Sequence, residues 1–363
     1  MPRPTLSILI DTYNHERFIE QAIVSVLEQD FPLHDAEILV VDDGSTDRTP
    51  QILKKFEPKL RVLRKTNGGQ ASAFNFAIPQ CQGEIIAFLD GDDWWTKDKL
   101  RTILAVFEAN PDVGTIGHGC LMVDGGGKLQ KIVVPKDTVR LNVRTPENAR
   151  VFAEYRCFFG TSKVAYRKAV LDRILPIPLG AVIEADEYLF TLAPFFADAI
   201  VLNEALFYYR LHDGNMYMQS VATDSGNRRK YNSLASLVER LNQELRTLEV
   251  PREISESLLT PLRLETDRMR LQLLGGTRWE MFNVERATNR LFYGGAPLGY
   301  RVFKQLALLM TFLLPPKQFL GMKQWYARKA LSRLRSHIGD PPPVDHLIER
   351  HFESGYPELK QPQ

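Results

Sequence analysis

The sequence predicts an α/β fold: a doubly wound, mostly parallel sheet flanked by helices, with a helical extension at its C-terminal side. Three observations predict it. Over about the first hundred residues, short apolar runs of strand length alternate with segments of helical period. One run, Ile85 to Leu89, is apolar throughout, as a strand buried on both faces of a parallel sheet has to be. Beyond about residue 220 the strand signals stop and leucines recur at helical spacing.

The elements follow in order. Leu6 to Ile10 reads as the first strand. Phe18, Ile19, Ala22, Ile23, Val26 and Leu27 then form one helical face. Glu37 to Val41 is the second strand. Thr49 is positioned to cap a short helix through Lys55, with Pro50 in its first turn. Leu60 to Leu63 is the third strand, Gln70 to Ile78 a helix of small residues, and Ile85 to Leu89 the fourth strand. Lys97 to Ala109 is a helix ended by Asn110-Pro111. Thr115 to Val123 and Leu129 to Val134, joined by Gly125-Gly126-Gly127, read as a hairpin that adds antiparallel strands to the sheet edge. Phe158 to Tyr166 reads as a further strand and Asp186 to Phe196 as a helix. Ile200 to Leu202 and Leu206 to Arg210 read as extended segments. In the extension, Leu234, Leu237, Val238, Leu241 and Leu245 share one helical stripe and Leu258, Leu262 and Met269 another. The expected division is a domain over 1–220, a helical extension over 221–339, and a tail over 340–363.

Composition excludes several classes. A net charge of +2 is too small for a nucleic-acid-binding surface, so no nucleic-acid partner is expected. The three cysteines, Cys81, Cys120 and Cys157, lack the close spacing of a zinc site or disulfide framework, which suits a reducing, cytoplasmic setting. No GxGxxG follows the first strand and no GxxxxGK[ST] is present, which disfavours dinucleotide dehydrogenases and P-loop kinases. A sugar-nucleotide pyrophosphorylase is disfavoured too, since Asp11 to Glu16 is neither glycine-rich nor basic. No apolar stretch reaches bilayer length, so any membrane contact is expected to be peripheral.

In open α/β sheets, ligands bind beyond the carboxyl ends of the strands. Four loops fall there: Asp11 to Glu16, Asp42 to Asp47, Lys65 to Gly69 and Asp90 to Trp95. Three of them begin with aspartate. So acidic an edge suits a divalent cation together with a base or ribose better than a bare phosphate. Taken singly, Asp90-Gly91-Asp92-Asp93 reads equally well as a solvated turn with a capping aspartate, and Asp47 or Thr49 reads as a helix cap. Tyr13 fits either nucleoside contact or rim packing. Trp94 and Trp95 suit an acceptor contact or helix-entry packing.

Taken together, the segments are more specific. Asp11-Thr12-Tyr13-Asn14, Val40 to Asp47, Asn67-Gly68-Gly69-Gln70-Ala71-Ser72-Ala73-Phe74-Asn75 and Phe88 to Asp93 occur in an order that resembles the family 2 glycosyltransferases, over about residues 5 to 215. The resemblance implies the GT-A fold, a Rossmann-like sheet, and an inverting, Mg²⁺- or Mn²⁺-dependent transferase. Its donor is a nucleotide-diphosphate sugar, a UDP-sugar first among them, and its acceptor a glycan or lipid-linked hydroxyl of a bacterial envelope or exopolysaccharide. By the same resemblance Thr12, Tyr13 and Asn14 hold the nucleoside and Asp43 accepts from the base. Asn67, Gly68 and Asn75 shape the donor loop. Asp90 and Gly91 lie at the ribose and Asp92 at the metal, with Asp93 a further carboxylate. Asp11 stands where many relatives have proline.

Glu184-Ala185-Asp186-Glu187 resembles the family's acidic base segment, with Asp186 at the base position and Ala185 in place of the usual first acid. Glu184 and Glu187 are rivals for that role, and a helix N-terminus enriched in acids is the alternative. Tyr209-Arg210-Leu211-His212 resembles the closing Tyr-Arg-x-His segment, which implies that His212 completes the metal or diphosphate site. A non-catalytic nucleotide- or carbohydrate-binding module of the same fold is the rival outside enzymes. The stretch 300–338 joins an apolar run, Tyr300 to Leu314, to a basic one. This suits peripheral contact with the inner face of the cytoplasmic membrane, or a homodimer contact.

Overall fold

The structure, a computed structural model, describes residues 5–57, 59–179, 185–212, 224–293 and 297–323. Four strands form a parallel block: β1 (Leu6–Thr12), β2 (Ala36–Asp42), β3 (Arg61–Arg64) and β4 (Ile85–Asp90), in the order β3-β2-β1-β4. β1 is central because its side chains are apolar on both faces. Leu6, Ile8, Leu9 and Ile10 are fully buried between β2 and β4. The register then carries chemistry to the edge, since Asp11 is paired with Val41 on one side and Asp90 on the other.

Helices α1 (Ile19–Leu27), α2 (Thr49–Lys54), α3 (Gln70–Ala77) and α4 (Lys99–Ala109) connect or follow these strands. α1 buries the face its period predicts, through Ile19, Ala22, Ile23 and Val26, and α4 buries Leu100, Ile103 and Phe107. Thr49 does not cap α2. It lies buried as the first residue of the helix, and Asp47 Oδ1 accepts from its N–H at 2.9 Å.

The second half of the sheet differs from expectation in three places. The hairpin forms, with β6 (Val113–Val123) pairing β7 (Leu129–Val133) through a turn in which Asp124 Oδ1 accepts from Gly126 and Lys128 N–H and Gly127 has φ +84°. Its first strand is not at the edge, however, and of the two only β7 has a single neighbour among the described strands. β6 is long enough to pair β9 (Val164–Arg167) through Thr115 to Gly117 and β7 from Cys120 onward, while its other side carries β10 (Asp198–Arg210) in parallel. The two extended segments at 200–210 are this one strand. Asn203-Glu204, which breaks the apolar pattern, falls at a shift of register between Leu202 and Ala205. The strand expected over 158–166 begins only at Val164, after 3₁₀ turns at Arg156–Phe158 and Thr161–Lys163. Two short strands complete the sheet on β10: β5 (Trp94–Trp95) and β8 (Val139–Leu141), both antiparallel to it.

Helix α5 (Pro146–Tyr155) was not foreseen, although Thr145 accepts from Asn148 N–H as its cap and Pro146 opens it. Helices α6 (Lys168–Leu171) and α7 (Ala185–Leu192) follow. α8 (Asp224–Thr247) and α9 (Arg252–Leu273) then lie beside the sheet domain. Leu234, Leu237, Leu241, Leu245, Leu258, Leu259 and Leu262 belong to the same continuous core as the strands. A second, smaller cluster starts at Leu264 and Leu271 and joins Met281 and Val284 of α10 (Arg278–Tyr293) to Phe319 and Leu320. α11 (Leu298–Leu313) packs against α10 in this region.

Candidate active site

The carboxyl ends of the parallel strands bring the sequence-predicted residues together in three adjoining groups. At the β2 end, Asp43 is buried and holds the following loop. Lys65 Nζ donates to its Oδ1 at 2.5 Å, Gly68 N–H to both oxygens at 3.1 Å and Gly69 N–H to Oδ2 at 2.7 Å. Gly44 permits this close packing, since it has φ +80° and an added Cβ would stand 2.7 Å from Asn67 N. Asn14, itself at φ +57°, ties the first loop to the second. Its N–H donates to Ser45 Oγ at 2.9 Å, and its Oδ1 accepts from Thr46 N–H at 2.8 Å. Tyr13 and Asn67 are exposed at this end. Asn75 lies one layer away, where Nδ2 donates to Ile177 O and Oδ1 accepts from Ile177 N–H, both at 2.7 Å. A cavity beside it is lined by Lys65, Ser72, Asn75, Phe76, Ile177 and Arg240.

In the middle, Gln70 is the hub. Its Nε2 donates to Asp11 Oδ2 (3.2 Å), Asp90 Oδ1 (3.1 Å) and Thr161 Oγ1 (3.2 Å), so one amide joins β1, β4 and the turn before β9. Ser162 Oγ accepts from Asp90 N–H at 3.0 Å and meets Asp90 Oδ2 at 3.1 Å. Burial pushes the Asp11 carboxyl up to about 7. Burial, and then the charges of Asp11, Asp92, Asp93 and Asp186, raise Asp90 well above the usual carboxylate range. Asp11 Oδ1 is buried without a hydrogen-bond partner.

At the third group, Asp92 meets two imidazoles. His212 Nε2 is 3.0 Å and His15 Nε2 4.0 Å from Asp92 Oδ2. Burial opposes ionisation of Asp92. The hydrogen bond from His212 and the charges of His15 and His212 outweigh it and leave the carboxyl below its ordinary value. Gly91 makes this approach possible, because a Cβ there would lie 2.7 Å from Thr12 Oγ1 and 2.9 Å from His15 Nδ1. Asp93 points the other way. Its Oδ1 accepts from Arg210 N–H at 3.0 Å, while Arg210 Nε donates to Asp92 O at 3.0 Å and its guanidinium lies over Trp94 and Phe18. Trp94 stacks on Tyr208 at 4.8 Å.

At α7, neighbouring acids diverge. Glu187 is buried in an ion pair with Arg156. Asp186 faces the 160–161 turn, its Oδ2 standing 3.5 Å from where a Cβ on Gly160 would be. It takes backbone hydrogen bonds from Glu187 and Thr161, and burial raises its pKa. Glu184 lies outside the described residues. Sequence reasoning did not single out Gln70, Ser162, His15, Lys65 or Arg210. Gln70 and Arg210 stand inside the quoted segments, whereas Ser162 carries no signal of its own.

The donor set fits a divalent cation in part. Asp92 stays ionised with an imidazole beside it, and a hard cation needs only one or two such protein ligands when a diphosphate supplies the rest. Among the described residues no three His, Cys, Asp or Glu side chains form a closed cage.

The description "Glycosyl transferase family 2" applies to the family model that matches residues 7–175. An uncharacterized glycosyltransferase of Nostoc is 33% identical over 228 residues, covering 61% of this chain and 69% of that one. Poly(ribitol-phosphate) beta-N-acetylglucosaminyltransferase TarS of Staphylococcus aureus is 32% identical over 224 residues, covering 59% of this chain and 37% of TarS. The chain thus spans about two thirds of the first relative and little more than a third of the second. Among solved structures, TarS 1–349 in complex with UDP-GlcNAc superposes with a TM-score of 0.53 at 22% identity, over 85% of this chain and 91% of that one. A mannosyltransferase of Pyrobaculum calidifontis in complex with GDP-Man and Mn²⁺ gives 0.52 at 20% identity, over 93% and 88%. With its mixed sheet and acidic strand ends, this chain belongs to glycosyltransferase family 2 and is a glycosyltransferase of the GT-A fold.

Proposed function

We propose that this enzyme transfers a sugar, with inversion, from a nucleotide-diphosphate donor of the UDP class to a hydroxyl of a glycan or lipid-linked acceptor in cell-envelope polysaccharide synthesis. The observation that carries the reading is the convergence of Asp90, Asp92 and Asp186 around one strand edge, with Gln70 and Thr161 between them. The UDP-GlcNAc complex of TarS and the poly(ribitol-phosphate) acceptor in that relative's name support the donor and acceptor classes. The alternative of a binding module without catalysis is disfavoured by the presence of both Asp92 and Asp186.

The division of labour follows from the groups. The loops from Thr12 to Asn14 and from Asp43 to Gly68 shape the nucleoside end, with Tyr13 exposed and available to stack on a base. Asp90 faces the ribose. Asp92, kept ionised, and His212 are the residues that would hold Mg²⁺ or Mn²⁺. Such a cation, when bound, neutralises the charge that builds on the departing diphosphate. Asp186 takes the proton from the acceptor hydroxyl as that oxygen attacks the anomeric carbon from the side opposite the nucleotide. A raised pKa suits this, because it makes Asp186 a stronger base once ionised.

Asp186→Asn tests the assignment. The variant is expected to bind UDP-sugar with unchanged affinity by calorimetry and to lose transfer by about 10²–10⁴-fold. Wild-type turnover by this variant would remove Asp186 from the role of base.

A further inference from the structure

Helix α11 is inverted relative to an ordinary surface helix. Leu298, Val302, Leu306, Leu309 and Leu313 recur at spacings of four, four, three and four, so they share one face. That face points outward. Leu298 is 74%, Leu306 60%, Leu309 57% and Leu313 67% exposed. The opposite face carries Lys304, Leu308 and Thr311, all buried.

The inward polar face is anchored. The Lys304 ammonium lies 4.2 Å over the Tyr293 ring and 5.3 Å over that of Tyr300, and Asn289 Nδ2 donates to Lys304 O at 3.4 Å. Beneath it Glu285 pairs with Lys323 (2.6 Å) and Arg268 (3.3 Å). Rotating the helix to hide its leucines would pull these groups apart, so the apolar face is held outward. Trp279, Phe282 and Phe312 form a partly exposed ring cluster at its flank.

The charge of the surrounding chain indicates what covers this face. Between Glu285 and Asp340 there is no acidic residue and there are ten Lys or Arg, six of them from Lys317 to Arg335, with Trp325 and Tyr326 among them. A row of leucines beside a purely basic, aromatic-containing stretch is complementary to lipid tails under anionic headgroups. No helix among the described residues is long and apolar enough to cross a membrane, so the contact lies in the interface plane. We propose that α11 lays its Leu298–Leu313 face into the interface of an anionic membrane, with the following basic stretch drawn to the headgroups. This goes beyond the catalytic reading and stands or falls separately from it.

Flotation of the full chain with vesicles tests the proposal. Wild-type protein is expected to float with vesicles of equal parts phosphatidylglycerol and phosphatidylcholine, and at least about tenfold less with phosphatidylcholine alone. L306E/L309E, at two exposed positions that are not among the candidate site residues, is expected to lose roughly tenfold or more of the binding while keeping the wild-type melting temperature. R328E/K329E is expected to lower binding to the anionic vesicles only. Three results would overturn the idea: no flotation of wild type with the anionic vesicles; flotation of L306E/L309E at the wild-type level; or a wild-type dimer in lipid-free sedimentation that L306E/L309E converts to monomer, which would assign the face to a second copy.

Discussion

Asp11 is the residue at which local physics and family pattern part. It stands on the central strand, buried, with Oδ2 on Gln70 and Oδ1 unpartnered. Its carboxyl is pushed from 3.8 up to about 7 by burial. Between those values the folded chain binds a proton that the unfolded chain has released, so stability falls as pH climbs through the window. Asp11→Asn keeps the shape and removes the charge. It is expected to raise stability over wild type by an amount that grows from about pH 4 to about pH 7 and then levels. Urea unfolding across that range measures it, and a difference that stays constant with pH would contradict the account. The aspartates of this edge were legible in the sequence because acids at strand ends are chemically conspicuous. Gln70 and Ser162 were not, because a neutral amide or hydroxyl gains its role only when distant strands bring carboxylates to it.

At the scale of elements, the first turn of α7 separates two adjacent acids into different jobs. Glu187 sits on the inward face with Arg156, and Asp186 on the face toward the 160–161 turn. Sequence alone left them rivals, since both stand in the same acidic run and one turn is too short for periodicity to fix the helical phase. Glu187→Ala breaks the buried pair with Arg156 by removing its carboxylate and is expected to destabilise the fold by ~3–5 kcal/mol. Denaturant midpoints check this, and a variant with wild-type stability would show that the pair contributes nothing. The same limit explains the hairpin. Its glycine turn and alternation were readable, but no local pattern says that β6 also receives β9 and β10. The break at Asn203-Glu204 likewise resembled a loop, because a strand that shifts register across a polar pair loses its period there.

For the whole molecule, the parallel pairing of the first four strands was legible because apolar runs and helical periods alternate in the chain, whereas their order β3-β2-β1-β4 was not. Nor was the single inserted antiparallel strand β9. The core also runs on past the end of the sheet domain into α8 and α9 as far as Leu262, where leucine stripes meet the flanking helices of the sheet. The candidate active site thus rests on a core shared by the sheet and its helical extension, and the outward leucines of α11 lie beyond that core. Nucleotide release tests whether the acidic edge delivers a sugar from a nucleotide-diphosphate donor. The full chain is incubated with Mn²⁺ and panels of UDP-, GDP- and dTDP-sugars, and free nucleoside diphosphate is measured. Release of UDP from at least one UDP-sugar is expected. Binding of donor without release of any nucleoside diphosphate, across all three classes, would contradict it.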